Sequence, residues 1–108
     1  MSSIYLKNSD ISRILIGIPQ GHKHLRMIIE LKNNKKLIFS EATLANIVRA
    51  YITVKTHPKI TSVELLLKNL ENEEIKNGYS KFQLLESDKD SFTVSKEMKE
   101  IMDKAENL

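Results

Sequence analysis

Two histidines, spaced two residues apart, are the most unusual chemical feature of this sequence. His22 and His24 lie in the stretch PQGHKHLR, between a Pro-Gly turn and a run of alternating apolar and polar residues. Residues i and i+2 of an extended chain lie on the same side, so both imidazoles could reach one metal ion or one phosphate. A metal site would need a third ligand from His57 or Glu41. HxH spacing alone is weak evidence, and we expect no metal and no cofactor.

The same stretch is basic, and the charge of the chain is unevenly distributed. The 108 residues carry 17 Lys+Arg and 14 Asp+Glu, a net charge of +3. Residues 1–62 hold ten basic and three acidic side chains, together with every histidine and arginine, whereas residues 63–108 hold seven lysines and eleven acidic residues. This asymmetry favours a polyanion-binding face or electrostatic pairing between the halves. An ordinary solvated surface is the alternative.

A second candidate surface is the polar side of a helix that we predict for residues 40–57. Asn46, Arg49 and Thr53 recur there at three- and four-residue spacing, and these residue types contact bases and phosphates. A solvated helix face is again the alternative. We call residues 19–26 (PQGHKHLR) the histidine loop. This loop, two lysines that follow it and the helix face together form the predicted polyanion-binding set: His22, Lys23, His24, Arg26, Lys35, Lys36, Asn46, Arg49, Thr53 and His57.

Several classes of function are disfavoured by what the sequence lacks. It contains no cysteine and no GxxxxGK[ST], GxGxxG, HExxH or GxSxG motif. Aromatic residues make up 6% of the chain and tryptophan is absent, so base-stacking platforms are scarce. An enzyme alternative is a His-dependent phosphodiesterase, because the three histidines with Lys23 or Arg49 could supply an acid, a base and a phosphate-binding cation. We expect a binding protein rather than an enzyme.

The elements of the first half follow from hydrophobic periodicity. Alternation predicts strands at 12–18 and 25–32, and Asn33-Asn34 predicts a hairpin turn back into 35–39. Ser40 caps the predicted helix, which ends before Pro58. Its apolar stripe is formed by Leu44, Ile47, Val48, Tyr51 and Ile52. Because its β-branched residues lower helix propensity, we expect packing on the sheet to stabilise this helix.

The second half is less clearly patterned. Residues 61–70 fit a strand or a helix that starts with a Thr61-x-x-Glu64 capping box, and we favour the strand. Asn77-Gly78 predicts a turn, and residues 79–85 predict a further strand. Residues 87–91 have the composition of a linker, and helical spacing of apolar residues begins at Ser95.

These elements predict an α+β fold. We expect a two-layer sandwich with a mainly antiparallel sheet of four or five strands, one principal helix at about 40–57 and a short C-terminal helix. Residues 1–86 would form a single domain, and residues 87–108 an acidic linker and a short amphipathic helix that docks or is mobile. Without a secretory signal or a membrane-length apolar run, we expect a cytoplasmic protein with no membrane or disulfide-linked partner.

The functional expectation is a small protein that binds nucleic acid or another polyanion through its basic N-terminal half. The alternative is a structural or interaction module that forms a homodimer, in which the oppositely charged halves face each other across the interface.

Overall fold

The chain folds into two antiparallel sheets and two helices. The computed structural model describes residues 2–71 and 81–105. Its elements are a 3-10 turn (Asn8–Asp10), β1 (Ile11–Gly17), β2 (Arg26–Leu31), β3 (Lys36–Ser40), α1 (Glu41–Thr56), β4 (Leu65–Asn69), β5 (Phe82–Glu86) and α2 (Ser91–Ala105). Two compact units are formed, a first unit of Met1–Arg49 with Asp103–Leu108 and a second unit of Ala50–Met102.

The predicted α+β class is confirmed, but the prediction of one sheet with four or five strands is wrong. Strands β1, β2 and β3 form one sheet with β2 at its centre, and β4 pairs with β5 in a second sheet. Each strand is paired with its neighbour in sequence, and such pairings close shorter loops at a lower entropic cost. The domain boundary predicted after residue 86 stays a prediction.

The first sheet has two different faces. Met27, Ile29 and Leu31 of β2 alternate with Arg26, Ile28 and Glu30, so these two sets lie on opposite faces. On the second face, which we call the outer face, Ile28 lies between Leu15 of β1 and Ile38 of β3, and Glu30 lies between Arg13 and Lys36. The outer face therefore carries an apolar row beside a charged row.

The predicted hairpin of residues 25–39 is confirmed. The Asn34 N–H donates to the Leu31 carbonyl at 3.0 Å, and the Leu31 N–H donates to the Lys35 carbonyl at 2.9 Å. Asn34 has a φ of 69°, a left-handed conformation that asparagine tolerates better than most residues. The Asn33 side chain also accepts a hydrogen bond from the Lys35 N–H at 3.0 Å.

Helix α1 has the predicted extent and cap, but its apolar stripe is not buried as we expected. Ser40 Oγ accepts a hydrogen bond from the Thr43 N–H at 3.3 Å. The stripe residues from the middle of the helix are 43% to 63% exposed (Ile47, Val48, Tyr51 and Ile52). Burial of these side chains therefore contributes less to the stability of α1 than the periodicity alone predicts.

The two strands expected in the second half are confirmed as β4 and β5, while α2 starts earlier than expected. The segment that holds Thr61 and Glu64 is not helical, so the helical alternative for residues 61–70, with its Thr61-x-x-Glu64 capping box, is excluded. Helix α2 begins at Ser91, and Asp90 caps it by accepting the Thr93 N–H at 2.7 Å. The predicted Asn77-Gly78 turn lies outside the described residues. In the described parts of the chain, no helix is long and apolar enough to span a membrane.

Candidate functional site

One carboxylate holds the histidine loop against the start of α1. Glu41 Oε1 accepts a hydrogen bond from the Leu25 N–H at 3.0 Å, and Glu41 Oε2 lies 3.9 Å from His24 Nδ1, which is too far for a hydrogen bond. At the other end of the loop, the His22 N–H donates to the Pro19 carbonyl at 2.9 Å, with Gly21 at a φ of 83°. The loop is thus fixed at both ends and presents exposed His22, Lys23 and His24.

Arg26, the last residue of this loop, begins β2. Its Nη1 donates to the Leu25 carbonyl at 3.0 Å, which fixes part of the guanidinium against the chain. Arg26 lies between Gly17 and Ser40 in the sheet register. We call Lys23 and Arg26 the loop-end cations.

The predicted lysines Lys35 and Lys36 lie at the opposite end of β2. Lys36 pairs with Glu30, four residues along the strand from Arg26. That separation corresponds to about 13 Å at the rise of a β-strand. The structure therefore divides the predicted basic patch into two clusters, one at each end of the sheet.

Sequence reasoning missed two lysines at the hairpin end. The Lys32 N–H donates to the Asp10 carbonyl at 3.0 Å, and the Lys7 N–H donates to Asp10 Oδ2 at 3.0 Å. These bonds bring the N-terminal segment to the β2–β3 turn. Separation in sequence concealed this neighbourhood, although both lysines contribute to the basic count of residues 1–62. We call the set Lys7, Lys32, Lys35 and Lys36 the hairpin-end lysines.

The three carboxylates among residues 2–49 are all occupied by local partners. Glu30 bonds to Arg13 Nε at 2.9 and 3.1 Å, and this hydrogen bond lowers the pKa of Glu30 and raises the pKa of Arg13. Asp10 and Glu41 accept the main-chain bonds described above. In the described parts of the chain, no ion pair involves the hairpin-end lysines.

The predicted helix face spans both units. Arg49 Nη1 donates to Asn46 Oδ1 at 3.4 Å in the first unit, and Thr53 and His57 belong to the second. His57 Nδ1 accepts the N–H groups of Lys59 and Ile60 at 3.1 and 3.2 Å. An accepting nitrogen carries no proton, so this arrangement uses Nδ1 to hold the turn after α1.

A polar cluster that the sequence did not predict holds the first turn of α2. Ser91 Oγ accepts the N–H groups of Thr61 and Ser62 at 2.8 and 3.0 Å, and Ser62 Oγ donates to the Ser91 carbonyl at 2.7 Å. Thr61 and Ser62 oxygens also lie 3.2 and 2.7 Å from Ser95 Oγ. These hydroxyl groups use one another as partners, so the cluster fixes the start of the helix rather than forming an open ligand site.

Next to this cluster, Lys89 joins two acidic side chains. Its Nζ lies 3.3 Å from Glu64 Oε2 and 2.8 Å from Glu97 Oε1, and these bonds raise the pKa of Lys89. The pKa of Glu64 is lowered, first by its hydrogen bond to Ser87 and then by Lys89. The ion pairs link the segment before β4 to α2.

Within the described residues, no three His, Asp or Glu side chains are placed so that they could hold a metal ion. Comparison of the chain with protein-family models, with curated proteins and with solved structures finds no match. Inference about function therefore starts from the charged surfaces of the chain itself.

Proposed function

We propose that this protein binds nucleic acid through the phosphate backbone, with the sheet of the first unit as the contact surface. The proposal rests on which charged side chains of this region already have partners within the chain. Residues 2–49 contain eight basic and three acidic side chains, and the three carboxylates are occupied by local hydrogen bonds. Lys36 also interacts electrostatically with Glu30, its neighbour across β2 and β3. In the described residues the hairpin-end lysines form no ion pair, so their exposed ammonium groups can neutralise an external anion.

The spacing of the two basic clusters supports an extended ligand rather than a small anion. The clusters lie about 13 Å apart along β2. A nucleic acid strand carries one phosphate per nucleotide, so a span of about 13 Å covers several phosphates. A strand that lies along β2 would contact the hairpin-end lysines at one end and the loop-end cations at the other.

The residue types also support binding that depends little on base sequence. Lysine contacts to phosphate fix position but do not distinguish bases. In the described part of β1–β3, the aromatic residue is Phe39, so the sheet offers little surface for base stacking. We therefore expect affinity to depend strongly on salt and weakly on sequence.

The test is a fluorescence anisotropy titration of labelled single-stranded DNA and RNA across a series of salt concentrations. The test variant combines Lys32→Gln, Lys35→Gln and Lys36→Gln. Its matched control combines Lys68→Gln, Lys81→Gln and Lys96→Gln, which removes the same charge from exposed positions of the second unit. The hairpin variant should reduce the slope of log affinity against log salt by about 2, because each lost phosphate contact removes about 0.7.

The control variant should keep the wild-type slope. Failure of the wild-type protein to bind at low salt, or an affinity that does not change with salt, would overturn the proposal. An equal loss in the two triple variants would also overturn it, because binding would then follow net charge rather than the hairpin-end lysines.

A further inference from the structure

Strand β1 is an unusually exposed edge of the first sheet. It lies at the end of the strand order, and its side chains Ile14 and Ile16 are 48% and 61% exposed. Leu15 between them is 43% exposed. Proteins usually protect an exposed edge with lysine, proline or a short strand, since such an edge readily pairs with another strand. The seven residues of β1 contain no lysine and no proline, and both its charged residue, Arg13, and its register irregularity lie at the start of the strand, before Ile14.

The hydrogen-bond pattern shows which main-chain groups face outward. The Leu31 N–H donates to the Lys35 carbonyl, so the N–H and C=O groups of Leu31 point toward β3. Alternate residues of a central strand point to opposite neighbours, and Ile28 therefore bonds to Leu15 of β1. By the same alternation, the N–H and C=O groups of Ile14 and Ile16 point away from the sheet. In the described residues, no hydrogen bond outside the sheet engages them.

The opposite edge, on β3, is better protected. It has five residues, starts at Lys36 and leads directly into α1 after Ser40. A short edge that carries a lysine is the kind that resists pairing. The exposed Ile38 has its main chain directed outward in the same way as Ile16, because it pairs with Ile28. Ile38 therefore provides a matched position for a control.

We propose that β1 pairs antiparallel with β1 of a second copy of this chain, around a twofold axis at Leu15. In this register Ile14 of one copy lies opposite Ile16 of the other, and the outward main-chain groups of both residues form ladder hydrogen bonds. Leu15 lies opposite its own counterpart and joins the two apolar rows of the outer faces. The product is a six-stranded sheet with β3 at each outer edge.

A second copy fits this edge because the strand is self-complementary in charge and in side chains. The charged side chain of β1 is Arg13, and Glu30 of the same chain pairs with it at 2.9 Å. In the proposed register, Arg13 lies opposite Gly17, so no two like charges face each other. Isoleucine meets isoleucine on one face and leucine meets leucine on the other. A twofold interface requires this kind of match.

The experiment measures the mass of the full chain in solution by sedimentation equilibrium across a dilution series. The wild-type chain should reach twice its 12.4 kDa mass. Ile16→Pro removes an outward N–H and should shift the chain to the monomer, because proline is tolerated at an edge position that faces solvent. The matched control, Ile38→Pro, makes the same change on β3 and should keep the dimer. Ile16→Lys leaves the main chain intact and should also weaken the dimer, which covers a failure of the proline variant to fold.

A wild-type chain that stays monomeric at every concentration would overturn the proposal, as would an Ile16→Lys variant with unchanged dimer affinity. If folded Ile38→Pro loses the dimer while folded Ile16→Pro keeps it, the interface lies on β3 rather than β1, and the proposal is overturned. Open-ended assembly would show that both edges pair and would overturn the closed dimer through β1. Since mass is measured without nucleic acid, this result is independent of the proposed binding function.

Discussion

Substitution of Ser91 by alanine should destabilise the second unit more than any other single hydroxyl removal in its cluster. The Ser91 hydroxyl accepts two main-chain N–H groups, from Thr61 at 2.8 Å and from Ser62 at 3.0 Å. A serine hydroxyl has one proton to donate and two acceptor positions. Both acceptor positions are filled, so the proton of Ser91 is left for Thr61 Oγ1 at 2.9 Å.

The direction of every hydroxyl in the cluster follows from one bond. Ser62 Oγ donates its proton to the Ser91 carbonyl, so it must accept from Ser95 Oγ at 2.7 Å. Ser95 has then used its proton, and it accepts from Thr61 Oγ1 at 3.2 Å. The chain of donors runs from Ser91 through Thr61, Ser95 and Ser62 to the Ser91 carbonyl. Such connected hydrogen bonds strengthen one another.

The expected cost of Ser91→Ala is about 2 to 3 kcal/mol. The exposed Thr61 N–H can bond to water after the substitution and loses about 1 kcal/mol, the net value of a hydrogen bond. Ser62 is 6% exposed, so its N–H is left without a ready partner, which costs about 1 to 2 kcal/mol more. Ser95→Ala removes hydrogen bonds between hydroxyl groups only, and every main-chain N–H of the cluster keeps its acceptor. This substitution should therefore cost about 1 kcal/mol.

Urea unfolding followed by circular dichroism measures these differences. Ser91→Thr keeps the hydroxyl and should recover most of the lost stability, and Ser3→Ala, at an exposed position, is the control. The reasoning is refuted if Ser91→Ala unfolds within about 0.5 kcal/mol of the wild type, the range of an ordinary surface substitution. A larger cost for Ser95→Ala than for Ser91→Ala would refute the assigned donor order.

Two further predictions concern acid sensitivity and the hairpin turn. The lowered pKa of Glu30, caused first by its hydrogen bond to Arg13, means that the ionised form stabilises the folded chain. This contribution is complete above the ordinary carboxyl pKa of about 4 and is lost as the pH falls through the lower folded value. The difference in urea midpoint between wild type and Glu30→Gln should therefore shrink between about pH 7 and about pH 3, and a constant difference would contradict the assignment. At the turn, Asn34→Val should cost about 1 to 2 kcal/mol because a β-branched residue tolerates a φ of 69° poorly, whereas Asn34→Gly should stay close to wild type. Equal urea midpoints for these two variants would show that backbone conformation at Asn34 does not limit stability.

Local patterns in the sequence predict the elements of this chain well. The hairpin depends on alternation and on Asn33-Asn34, and these residues turn the chain without distant help. Helix α1 begins after Ser40 and ends before Pro58, because a cap and a proline act on the residues beside them. Each of these features involves residues close in sequence, and the structure agrees with the prediction at each.

Features that depend on distant contacts were not predictable in the same way. The composition of residues 87–91 resembles a linker, yet Asp90 and Ser91 start α2 with bonds that include Thr61 and Ser62, some thirty residues earlier. Alternation shows that a segment is a strand but not which strand it joins, and the sequence therefore predicts one sheet where the structure has two. The predicted strand of residues 25–32 already separates residues 22–24 from residues 35–36, but the count of charges treats these basic residues as one set.

The structure changes what the charge asymmetry of the sequence means. A count of residues 1–62 treats every lysine alike, but the sheet assigns each nearby carboxylate to a local donor and leaves the hairpin-end lysines exposed. Pairing of two copies through β1 would place both β3 strands at the outer edges of a continuous sheet. The β2–β3 turn of each copy would then stay clear of the interface, since β2 separates it from the twofold axis at Leu15. The proposed self-association would use the edge of β1, whereas the proposed nucleic acid contacts lie at the two ends of β2, the central strand. We therefore expect Ile16→Pro and the lysine substitutions to abolish the two activities separately.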